Sequence, residues 1–169
     1  TDIKISTSGT ATIVTQTIES IWGWDTNNTS SASVSVSSGG SAYVSWTNPV
    51  GTGSNEDKFY TFTITGLQPT NSVVTVTLTN TRTTWYGTST RAIPVRVTVI
   101  PTVKFYTSAG VSYNSVSVDK GTSLGASMPS EPSAEGLVFL GWQTSGGTAF
   151  TSSTLVNEDI SVYAKWGAK

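Results

Sequence analysis

The chain has 169 residues, room for one large or two small domains. Hydrophobic residues make up 36% and charged residues 11%, with net charge −1 and neither histidine nor cysteine. This composition excludes Ser-His-Asp and Cys-His catalysis and any disulfide, and it argues against a zinc site, a nucleic-acid partner and membrane insertion.

The first six residues, TDIKIS, have neither the basic nor the apolar region of a secretory leader. The expectation is that the chain is an internal part of a longer, multidomain surface protein. Strand signals then follow one another: ATIVTQTI (11–18), ASVSVSS (32–38), SAYVSW (41–46), YTFTITGL (60–67), SVVTVTLTN (72–80) and PVRVTVI (94–100). Each alternates apolar with polar residues, is rich in Val, Ile and Thr, and is bounded by turn formers. The phases sort the side chains. Tyr60, Phe62 and Ile64 share one face and leave Phe59 on the other. Ala42, Val44 and Trp46 share a face, with Tyr43 pointing away. Val74, Val76 and Leu78 point inward. The segment NTRTTWYGTSTRA (80–92) reads as a loop.

Within this run, Gly66-Leu67-Gln68-Pro69 stands between two strands. The stretch 60–80 thereby resembles the strand–Gly-Leu-x-Pro–strand pattern of fibronectin type III domains, although Val73 and Val74 stand where that pattern has an aromatic. The expected class is an immunoglobulin-like β-sandwich over residues 1–101. If 11–18 and 32–38 are its strands B and C, then residues 19–31 form the B–C connection and 80–92 the F–G connection. Those two connections lie at the same end of such a sandwich.

A second domain is expected over 102–169, after a link too short to be flexible. It opens with VKFYTSAG (103–110). SVSVDKGTSLG (115–125) follows, then MPSEPSAEGLVFLGW (128–142), and DISVYAKW (159–166) closes it. These motifs, with their Gly-x-x-Phe-x-Gly-Trp and Asp-x-x-x-Tyr-Ala-x-Trp signatures, resemble the Listeria–Bacteroides repeat, the internalin-type B repeat of bacterial surface proteins. The resemblance implies a small β-grasp-like domain with a short helix or turn across its sheet, no catalytic site, and a role in surface display, spacing or protein contact. The residues themselves place Val138, Leu140 and Trp142 on one strand face. Ile160, Val162, Ala164 and Trp166 share another, which makes both tryptophans core.

The function question centres on ESIWGWDTNN (19–28). Trp22, Trp24, Asp25, Asn27 and Asn28 lie on the expected B–C connection, and Arg82, Trp85 and Tyr86 on the expected F–G connection. Two readings follow. The rings plug the end of the sandwich, since burying one returns roughly 1.5–3 kcal/mol. Alternatively they form a platform for an oligosaccharide or polysaccharide, with ring faces packing sugar C–H groups and the polar residues meeting hydroxyls. Gly23 leaves the space between Trp22 and Trp24 open, and two angled rings would suit a curved α-glucan such as starch. The acidic pairs Glu56-Asp57 and Glu158-Asp159 read as solvated loop charges, not as a glycosidase pair. No catalytic group, metal or cofactor is expected. The chain therefore reads as a non-catalytic carbohydrate-binding module of an extracellular bacterial protein. The alternative is an adhesin or spacer segment with a protein partner.

Overall fold

A computed structural model describes residues 1–16, 29–53 and 58–169. They are overwhelmingly β-structure, and the chain divides into two compact units, Thr1–Val99 and Ile100–Lys169.

The first unit is built from β1 (Asp2–Ser6), β2 (Thr10–Gln16), β3 (Thr29–Val36), β4 (Val44–Trp46), β5 (Val50–Thr52), β6 (Phe59–Gly66), β7 (Val74–Thr84) and β8 (Gly87–Ile100). One sheet runs β1-β8-β7-β3. The other runs β2-β6-β4, with β5 also on β6. This is the pairing of an immunoglobulin-like sandwich, with β2 and β6 in one layer and β3, β7 and β8 in the other. Alternation fills the space between the layers. Phe62, Ile64, Val76, Leu78, Val95, Val97 and Val99 are buried, while Thr61, Thr63, Thr75, Thr77 and Thr79 face away.

β4 and β5 are one strand interrupted. Thr47 still donates its N–H to the Thr63 carbonyl at 3.0 Å. The register then slips by one residue, from Trp46↔Ile64 to Val50↔Thr61. Asn48-Pro49 lies at the slip, because proline has no N–H to give the ladder. Just upstream, Gly40–Ala42 form a 3₁₀ turn and Tyr43 caps it at φ −108°, ψ −27°. Strand alternation therefore does not govern Tyr43, and against expectation it packs on the core together with Trp46.

The corner after β6 shows why the Gly-Leu-x-Pro stretch folds as it does. A Cβ on Gly66 would stand 2.6 Å from the Ser6 carbonyl oxygen. The backbone approach requires glycine there. With no aromatic at this corner, Thr70 holds it instead. Its N–H donates to the Val99 carbonyl at 2.9 Å, and its Oγ1 accepts from the Val99 N–H at 3.2 Å.

The second unit contains β9 (Thr102–Ser108), β10 (Val111–Ser117), β11 (Leu137–Thr144), β12 (Ala149–Phe150) and β13 (Ile160–Ala168), in the sheet order β10-β9-β13-β11-β12. The first and last strands, β9 and β13, are parallel neighbours at the centre, and the other pairs are antiparallel. That order is β-grasp-like. The place of the helix is taken by the 118–136 connection, whose regular structure among the described residues is one 3₁₀ turn, Gly125–Ser127. Leu124 and Met128 of this connection pack on the sheet with Val103, Phe105, Trp142, Phe150, Val156 and Val162.

Two expectations are corrected here. Val138 and Leu140 do not share the face of Trp142. The β11–β13 register slips between Phe139↔Trp166 and Gly141↔Lys165, so Leu140 is an extra, bulged residue. The bulge brings Phe139 and Trp142 to the core side and leaves Val138 and Leu140 exposed. Asp159, in turn, is more than a solvated charge. Its Oδ1 accepts the Thr102 N–H at 2.8 Å and ties the start of β13 to the start of β9.

Candidate functional site

The β7–β8 hairpin carries the candidate site. The expected loop at 80–92 does not exist. Pairing continues unbroken from Val74↔Val97 to Thr84↔Gly87, and Trp85-Tyr86 is a two-residue turn. The physical reason is the threonine-rich alternation on both sides, NTRTT and GTSTR, which suits a pleated ladder better than a loop. Neither Trp85 nor Tyr86 takes a positive φ. Gly87 does, at 132°, and this lets an ordinary turn rejoin the ladder. The turn is braced from below. Tyr86 N–H donates to Thr84 Oγ1 at 3.2 Å, Thr84 Oγ1 donates to the Gly87 carbonyl at 3.3 Å, and Thr83 and Thr88 pair their hydroxyls at 3.1 Å.

Both turn rings stand in the open, Trp85 71% exposed and Tyr86 89% exposed. Neither plugs the sandwich. Rings this large are normally hidden, and here a two-stranded arm holds them out.

Arg82 lies elsewhere than expected. On β7 the inward row runs Val74, Val76, Leu78, Asn80, Arg82, and Arg82 is 3% exposed. It belongs to the inside of the sandwich end, not to a surface platform. Its neighbour Asn80 donates through Nδ2 to Ser30 Oγ at 3.2 Å and to the Ser31 carbonyl at 3.0 Å. Tyr60 donates its hydroxyl to the same Ser30 Oγ at 3.2 Å from the opposite sheet. The apolar core thus gives way to a polar cluster at this end. Trp22, Trp24, Asp25, Asn27 and Asn28 lie outside the described residues. The described residue that follows them, Thr29, pairs with Thr83, so β3 starts at the same end of the sheet as the Trp85-Tyr86 turn.

In the second unit the tryptophan signatures meet across two strands. Phe139 lies edge-on between them, 5.2 Å from the Trp142 ring and 5.7 Å from Trp166. Trp142 is buried. Trp166 is only half-buried, and its Nε1 donates to the Thr107 carbonyl at 2.9 Å. The second unit is similar to the Listeria-Bacteroides repeat domain. Its family model matches residues 102–165, most of the second unit and none of the first. That repeat is typical of surface and extracellular proteins. No curated protein matches the chain. Within the repeat, Asp159 and the two tryptophans are explained as structural groups: a backbone tie and two members of one aromatic cluster.

Among the described residues no three histidine, cysteine, aspartate or glutamate side chains gather to hold a metal, and no helix is long and apolar enough to cross a membrane. What the turn presents is two largely exposed aromatic rings, Trp85 and Tyr86.

Proposed function

We propose that the chain is a non-catalytic carbohydrate-binding segment of an extracellular bacterial protein, in which the first unit grips a neutral glucan through Trp85 and Tyr86. The observation that carries this reading is the exposure of two adjacent rings on a braced hairpin turn. A turn already braced by hydrogen bonds has less conformational freedom to lose when a sugar ring settles on it. Aromatic faces pack sugar C–H surfaces, and the Tyr86 hydroxyl beside them suits a sugar hydroxyl. α-Glucan is the first ligand to test, and residues 22–28 are the candidates to complete the grip.

Affinity electrophoresis of the full chain in gels containing starch, β-glucan, xylan or mannan tests the reading. Retardation in at least one gel is expected, with Trp85→Ala and Tyr86→Ala each weakening it by about tenfold or more, a loss on the order of 1.4 kcal/mol. Unchanged mobility in every gel defeats the function. Retardation that survives both substitutions defeats the site.

A second reading, a spacer or adhesin segment with a protein partner, is favoured by the match to the repeat domain. It expects capture of a protein partner and no polysaccharide retardation.

A further inference from the structure

The open face of the second unit's sheet has a composition that packing does not explain. On β9, Val103 and Phe105 are fully buried while Lys104 is exposed. On β13, Val162 is fully buried and Ala164 packs on the core, so Ser161, Tyr163 and Lys165 point the other way. The parallel register sets Tyr163 beside Tyr106, and their rings stack at 5.3 Å with 22° between planes. Gln143 pairs with Tyr163 from the far side and extends the row.

Charge is segregated with equal clarity. Lys104 and Lys165 are the charged residues of the unit's five strands. The carboxylates Asp119, Glu131, Glu135, Glu158 and Asp159 all lie in the connections. The long connection packs Leu124 and Met128 against the other face. Among the described residues neither lysine forms an ion pair, and neither the Tyr106 nor the Tyr163 hydroxyl has a hydrogen-bond partner. Tyr113, by contrast, spends its hydroxyl on Ser130.

We infer that this face binds an acidic polysaccharide, with uronate carboxylates on Lys104 and Lys165 and an intervening sugar ring on the Tyr106–Tyr163 pair. Lys104 is level with Ser161, and Lys165 lies four residues further along β13. At about 3.3 Å per residue the two lysines stand about 13 Å apart along the strands, with the tyrosine row midway. Their flexible stems bring the ammonium groups to carboxylates on either side of a stacked ring. The charge pattern selects a polyanion. The aromatic row with open hydroxyls and an amide selects a sugar over a peptide. The inference uses no residue of the Trp85-Tyr86 turn and stands or falls apart from it.

The experiment is titration of the full chain with polygalacturonate at low salt, beside its fully methyl-esterified form and polyglutamate. Binding of polygalacturonate alone is expected, and it should weaken as salt screens the lysines. The double variant Lys104→Gln/Lys165→Gln should lose about tenfold in affinity, in line with two exposed charge contacts. Tyr163→Leu should weaken binding while leaving its salt dependence as in the parent chain, and unchanged circular dichroism and melting of the lysine variant keep misfolding out of the reading. Undiminished affinity in the double lysine variant overturns the inference. So does equal binding of polyglutamate or of the esterified polymer. Loss of polygalacturonate binding in Trp85→Ala/Tyr86→Ala with the lysine variant unaffected also overturns it, while leaving the glucan-binding turn in place.

Discussion

Thr70 shows how one residue can carry a corner. It is 5% exposed, and its hydroxyl occupies the buried Val99 N–H. Thr70→Val keeps the shape and removes the acceptor. The stranded N–H should cost about 1–3 kcal/mol, read as a lower urea midpoint with an unchanged slope, and Thr70→Ser should recover most of it. At this scale the sequence was partly legible. The glycine of Gly66-Leu67-Gln68-Pro69 announced a corner, but the fastening residue did not announce itself, because a threonine in a threonine-rich chain carries no signal of burial. Arg82 misleads for a related reason. A charged residue three places from an exposed aromatic turn reads as surface, yet strand alternation puts it in the inward row of Leu78 and Asn80.

At the scale of elements, alternation placed Tyr60, Phe62, Ile64, Val74, Val76 and Leu78 correctly, because a strand with one buried face has its register written in period two. It failed where the period breaks. The bulge at Leu140 and the 3₁₀ turn before Tyr43 each shift the phase, and neither is set by local composition. The 80–92 segment failed differently: two non-glycine aromatics hid a two-residue turn whose only special dihedral falls on the following Gly87. That hairpin should have graded stability. At its base Val76, Leu78, Val95 and Val97 are sealed in the core, while every residue from Gly87 to Ala92 is exposed. Amide hydrogen exchange should therefore be slowest at Val76, Leu78, Val95 and Val97 and rise toward Thr83 and Thr88. Uniform protection along both strands would contradict the grading.

At the scale of the whole molecule, the chain divides into two compact units, Thr1–Val99 and Ile100–Lys169, and each carries its own turn spacing and its own signature residues. The Trp85-Tyr86 turn was legible only as a position: topology put its rings at one end of the sandwich, while their exposure depends on how far β7 and β8 run on before turning.

The central strand pair of the second unit has a mechanical meaning. β9 and β13 are its first and last strands, and they run parallel from Val103↔Ile160 to Tyr106↔Tyr163. A pull on Thr102 and Ala168 drags them past each other along their length, so their hydrogen bonds share the load and must rupture together. A pull on Ser108 and Ala168 unzips them one at a time. Single-molecule stretching with handles at 102 and 168 should show a clearly higher rupture force than with handles at 108 and 168, since forced rupture reports the barrier along the loaded direction. A domain tethered through its two ends would then hold against drag that the same fold, gripped elsewhere, would not survive.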